Sequence, residues 1–74
     1  MSSRDRIRAY AAGFENGASV AEEEIRYNAA VEMPTDEEFR TAVYDEFQTQ
    51  ETAWVAGCKA GWRKVQETLQ NTGN

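Results

Sequence analysis

Residues 9–26 and 53–70 of this chain carry one pattern of small and aromatic residues, displaced by 44 positions. Ala9, Ala12, Gly13, Gly17 and Glu23 in the first copy become Ala53, Ala56, Gly57, Gly61 and Glu67 in the second. Tyr10 becomes Trp54, and Ile25 becomes Leu69. Positions four apart stack on one side of a helix. Ala9, Gly13, Gly17 and Ala21 therefore form one smooth ridge, and Ala53, Gly57 and Gly61 form another. A mid-helix glycine costs about 1 kcal/mol relative to alanine, so these four cost about 4 kcal/mol together. That is a large share of a small domain's stability. Close contact must offset it: small residues let helix backbones approach, and Tyr10, Phe14, Trp54 and Trp62 flank the ridges to cover the neighbouring backbone. The contact is either internal, copy against copy in an antiparallel pair, or between subunits or partners.

The first copy also admits a break. Asn16-Gly17 is a common helix stop, and Ser19-Val20-Ala21-Glu22 is a capping box that would restart one. The second copy argues against this, because Gly61-Trp62-Arg63-Lys64 contains no capping residue. The doubled pattern favours a continuous first helix with a possible kink near Gly17.

Around these copies the chain reads as helical almost throughout. Ser2 or Ser3 caps a first helix with Asp5 in its first turn. Ile7, Ala11, Phe14, Ala18, Ala21 and Ile25 then alternate by four and three, an apolar stripe at heptad spacing that fades after Tyr27. Met33-Pro34-Thr35-Asp36-Glu37-Glu38 is the clearest boundary. Pro34 pushes Met33 out of helical geometry, Thr35 supplies an N-cap, and Glu38 completes a capping box. Phe39, Val43 and Phe47 follow on one side, with Tyr44 beside them. Either Thr49 caps a third helix or one helix runs from 36 to 70. The last stretch aligns Trp54, Cys58, Gly61, Val65 and Leu69. The expected organisation is a single all-α domain over 1–74, a helical hairpin or three-helix bundle with Gly/Ala-lined packing. Its helices span about 4–31, 36–48 and 50–70, and 71–74 form a frayed tail.

A domain of 74 residues is marginal without a staple or a partner. The lone Cys58 forms no internal disulfide, and no Cys/His cluster suggests zinc. Helix packing and a homo-oligomer, a dimer first, are the expected sources of stability. No apolar run approaches the roughly 20 residues that span a bilayer, and no secretory signal follows the N-terminal arginines, so a cytoplasmic protein is expected.

Charge is unevenly placed. Residues 15–51 hold eleven acids against Arg26 and Arg40, a balance of −9, while the two ends balance to +4. Antiparallel helices or paired subunits can use this asymmetry to choose an orientation.

The chemistry is sparse. Histidine, the commonest general base and metal ligand, is absent. Cys58 sits on the apolar stripe with no base to activate it and reads as buried and inert. No phosphate loop is present, since the glycines lie four apart in a helical pattern. Glu22-Glu23-Glu24 and Asp36-Glu37-Glu38 fan around a helix rather than converge on a cation, and capping explains the second run. The expectation is no catalytic residue, no cofactor and no metal. Arg4, Arg6 and Arg8 make a short basic arm, but a net charge of −5 opposes direct nucleic-acid binding. The acidic face containing Glu22, Glu23 and Glu24 is either a solvated surface or, less simply, an imitation of DNA for a basic groove.

The stretch Ala53-Trp54-Val55-Ala56-Gly57-Cys58-Lys59-Ala60-Gly61-Trp62 resembles a helix common in small proteins encoded by phages and prophages, and residues 9–17 resemble it more loosely. The resemblance covers about a third of the chain. It implies a small accessory protein, some of whose class disable host enzymes or defence systems by binding them. The expected role is therefore non-enzymatic: binding and inhibiting a host protein through the exposed aromatics Tyr10, Tyr27, Tyr44 and Trp62 and the acidic face. The alternatives are a self-associating structural protein and an acidic DNA mimic.

Overall fold

The computed structural model describes residues 3–71. Among the described residues there are three α-helices: α1, Ser3–Tyr27; α2, Asp36–Thr41; and α3, Glu51–Asn71, with a 3-10 helix, Asp45–Gln50, leading into α3. The all-α class and the Gly/Ala-lined packing are as the sequence predicts. Helix α1 runs unbroken through Gly17, so the capping box at Ser19 goes unused. Ser2 and residues 72–74 lie outside the described residues, and Asn71 is the last residue of α3.

Two boundaries fall short of expectation for local reasons. Helix α1 stops at Tyr27 rather than near 31, because Asn28 takes over the backbone. Its side-chain carbonyl accepts the Ala30 amide at 3.1 Å and its main-chain carbonyl accepts the Val31 amide at 3.0 Å. Asparagine favours such turns over continued helix. Helix α2 begins as expected, with the Glu38 amide donating to Thr35 Oγ1 at 3.2 Å and the Thr35 amide to Glu38 Oε1 at 3.4 Å. It ends at Thr41 rather than reaching 48. The Thr41 hydroxyl donates to the Glu38 carbonyl at 2.8 Å, and the Ala42 and Val43 amides turn back on Phe39 and Arg40. Tyr44 is then extended before the 3-10 helix, which passes directly into α3 with Glu51 already helical. A single helix from 36 to 70 is thus ruled out, and Thr49 lies inside the 3-10 helix rather than at a cap.

The two copies pack on each other within one chain, but parallel rather than antiparallel. Gly13 lies against the backbone of Trp54 and Cys58, and Gly17 against Cys58. Gly57 lies against Tyr10 and Phe14, and Gly61 against Phe14 and Ala18. Numbers rise together along the interface, so α1 and α3 point the same way. The connection must therefore travel back along the pair, and it does. Asp36 meets Lys59 at 3.2 Å, Arg40 meets Glu51 at 2.8 Å, and Glu46 meets Arg8 at 3.9 Å. The antiparallel packing of copy on copy fails because residues 28–50 supply the whole return leg. Asp36–Lys59 and Glu46–Arg8 join the acidic middle to the basic ends, in keeping with the charge asymmetry, while Arg40–Glu51 lies within the middle. Each pair is partly exposed and contributes only a few tenths of a kcal/mol, so the apolar contacts carry the stability.

Those contacts form one core of Ala9, Ala21, Ile25, Phe39, Phe47, Trp54, Val55, Cys58 and Trp62. Trp54, Cys58 and Trp62 are fully buried. Trp62 is therefore not an exposed contact residue; α3 turns it inward. Along α1 the buried row is Ala9, Gly13, Gly17, Ala21 and Ile25. The expected heptad stripe is buried only at Ala21 and Ile25, whereas Ala11 is exposed and Ile7 is 67% exposed. At about 100° per residue, Ile7 and Ile25 point in the same direction. They differ because the i+4 row winds about 160° around α1 between Ala9 and Ile25, following the crossing of the two helices.

Candidate interaction surfaces

The ridge interface comes first, because it decides what remains for partners. A Cβ built on Gly13 would overlap the Trp54 carbonyl oxygen, and one on Gly57 the Tyr10 carbonyl oxygen. Gly17 stands in the same relation to the Cys58 carbonyl, and Gly61 to that of Phe14. The four contacts exchange under the shift of 44, so α1 and α3 are related by a pseudo-two-fold axis running along the pair. In each, the glycine hydrogen standing where Cβ would be points at a carbonyl oxygen. Cα–H···O contacts of this kind contribute about 0.5–1 kcal/mol each, which offsets the helical cost of the four glycines to within about 2 kcal/mol.

One side of the pair is covered. Trp54, Cys58 and Trp62 project there from α3, and the return leg closes over them. The Tyr44 ring meets Trp54 edge-on at 5.6 Å and lies 6.4 Å from Phe47, and the Arg8 guanidinium sits 5.9 Å over the Phe47 ring. Asn16 Nδ2 donates to Cys58 Sγ at 3.6 Å. Burial pushes the Cys58 thiol up, and the Asn16 hydrogen bond only partly opposes this. A nucleophilic cysteine needs the reverse. The indole N–H groups of Trp54 and Trp62 have no acceptor among the described residues.

The other side of the pair is bare. The pseudo-symmetry mates of Trp54, Cys58 and Trp62 are Tyr10, Phe14 and Ala18. Tyr10 is 43% exposed, and Phe14 and Ala18 are half-buried. The α3 wall there is Ala53, Ala56 and Ala60 (half-buried, exposed and half-buried), and a shallow depression joins Ile7, Tyr10 and Ala53. Sequence reasoning places Tyr10 and Phe14 at the interface but misses this alanine wall. The i, i+3, i+7 spacing of Ala53, Ala56 and Ala60 is its only signal.

A second open surface lies at the far end of α1. Glu22, Glu23 and Glu24 are all exposed, and Arg26 bonds Glu22 at 3.2 Å. Ser19, Glu22, Glu23, Arg26 and Tyr27 line one depression, and Tyr27 is 89% exposed. The structure thus brings Tyr27 together with part of the acidic face, while Tyr10 lies more than four helical turns away along α1 and Tyr44 sits over Trp54. No helix among the described residues is long and apolar enough to cross a membrane.

Compared with protein families, with curated proteins and with solved structures, the chain matches none of them.

Proposed function

We propose that this chain is a non-enzymatic binding protein, one that docks on another protein in the host cytoplasm and inhibits it. The observation that carries this reading is Tyr27, 89% exposed and next to Glu22 and Glu23 at the end of a 25-residue helix. Aromatic side chains surrounded by polar groups dominate the energetics of protein interfaces. The acids flanking Tyr27 suit a basic partner surface and discriminate against acidic ones. The resemblance of the Trp54–Trp62 stretch to small phage-type accessory proteins supports the same class. The ridges add no support to a purely self-associating role, because each ridge already has the other as its partner.

The test is a pull-down from host lysate at physiological salt, followed by an activity assay on the captured protein. The wild type should retain a specific protein and inhibit it. Tyr27→Ala and the Glu22→Lys/Glu23→Lys double variant should lose both effects while circular dichroism stays helical. No specific capture, or equal capture by both variants, contradicts the reading.

A further inference from the structure

We infer that the bare side of α1 is the seat of a second copy of this chain, docked antiparallel to form a two-fold dimer. The pseudo-symmetry of the ridge pair creates two like grooves. The return leg fills the one beside Trp54 and Trp62, and no described segment fills the one beside Tyr10 and Phe14. Next to the open groove, Ile7, Ala11, Phe14 and Ala18 run along the uncovered face of α1 at spacings of four, three and four, the repeat that seats one helix against another. Ile7 is 67% exposed, and nothing else in the fold uses it.

Charge selects the occupant. Along α1 the first six residues carry Arg4, Arg6 and Arg8 against Asp5, and the second half carries Glu15, Glu22, Glu23 and Glu24 against Arg26. Such a helix repels itself when parallel and attracts itself when antiparallel. With Ile7 of one copy opposite Ala18 of the other, Ala11 meets Phe14. Arg4 then comes beside Glu22 of the second copy, while Arg8 stays with Glu46 and Phe47 of its own return leg. The two-fold axis repeats every pair. Isologous interfaces of this kind need only one self-complementary patch. Three turns of stripe fall at the small end of specific interfaces, so the dimer dissociates on dilution. The two Tyr27 tips would stand at opposite ends, roughly 40 Å apart by helical rise, which lets one dimer present two partner contacts.

Analytical ultracentrifugation of the full chain tests this. The wild type should rise with concentration from 8.4 kDa toward twice that mass, and Ile7→Asp should stay monomeric and helical. Arg4→Glu opposes acid to acid in its own dimer, and Glu22→Lys opposes base to base, so each alone should be monomeric. Mixed one to one, they should restore the dimer, a result a merely structural role cannot produce. A wild type that stays monomeric up to about 1 mM, an Ile7→Asp variant that still dimerises, or a mixture that fails to pair overturns the inference.

Discussion

Gly57 faces the carbonyl oxygen of Tyr10 across the helix pair, in the relation that Gly13 bears to Trp54. The reciprocity means that neither helix is a passive support. Each glycine exists for the backbone of the other copy, and the contact lies inside one chain.

Replacing Gly57 or Gly61 with alanine therefore inverts the usual helix rule. An added methyl on an exposed mid-helix glycine stabilises by about 1 kcal/mol. Here it meets backbone that has nowhere to move, since both neighbouring strips of main chain belong to the ridge. Each substitution should destabilise by ~2 kcal/mol or more, and Gly57→Leu should prevent folding. Urea unfolding followed by circular dichroism checks the sign; a stabilised Gly57→Ala would mean the ridges are open.

Trp62 separates bulk from hydrogen bonding. Its indole N–H has no acceptor among the described residues, so Trp62→Phe gives up volume but no hydrogen bond. We expect it to cost well under the 3–5 kcal/mol of Trp62→Ala. Thermal melts of the two variants provide the comparison.

Cys58 should resist modification in the native state. It is fully buried, and burial raises its folded pKa above the unfolded value. The stability linked to this proton is complete below the unfolded thiol pKa and is lost as pH rises through the folded one, so the protein should weaken in alkali. Labelling with a thiol reagent at neutral pH should track global unfolding, and Cys58→Ser should remove part of the alkaline loss. Rapid labelling of folded protein would place the thiol at the surface.

The return leg should be the first part to loosen. Its start depends on the Thr35 cap and its seat on partly exposed ion pairs. Thr35→Ala should cost about 1 kcal/mol, and hydrogen exchange should show α2 opening before α1 and α3.

The sequence makes the helices and the ridge legible because glycines four apart carry a cost that only close contact offsets. The capping box at Thr35 is legible because its partners are three residues apart. Orientation is not. A row of small residues accepts a neighbour in either direction, and the choice depends on residues 28–50, where Asn28 and Thr41 divert the backbone by side-chain bonds that leave no periodic trace. The same gap hides Trp62. An aromatic beside a ridge lies on either flank equally well, until the return leg covers one flank and leaves Tyr10 on the other. Ile7 misleads for a related reason, because a heptad count ignores the winding of an i+4 row.

The central claim, that the two copies pack parallel within one chain, is tested most directly by paired spin labels in a Cys58→Ala chain diluted into unlabelled protein. Arg6 and Thr52 border one depression in the structure, so labels at 6 and 52 should be close. Labels at 6 and 67 should lie farther apart by roughly 20 Å, the rise of fifteen helical residues. A short 6–67 distance with a long 6–52 distance would make the pair antiparallel and contradict the account.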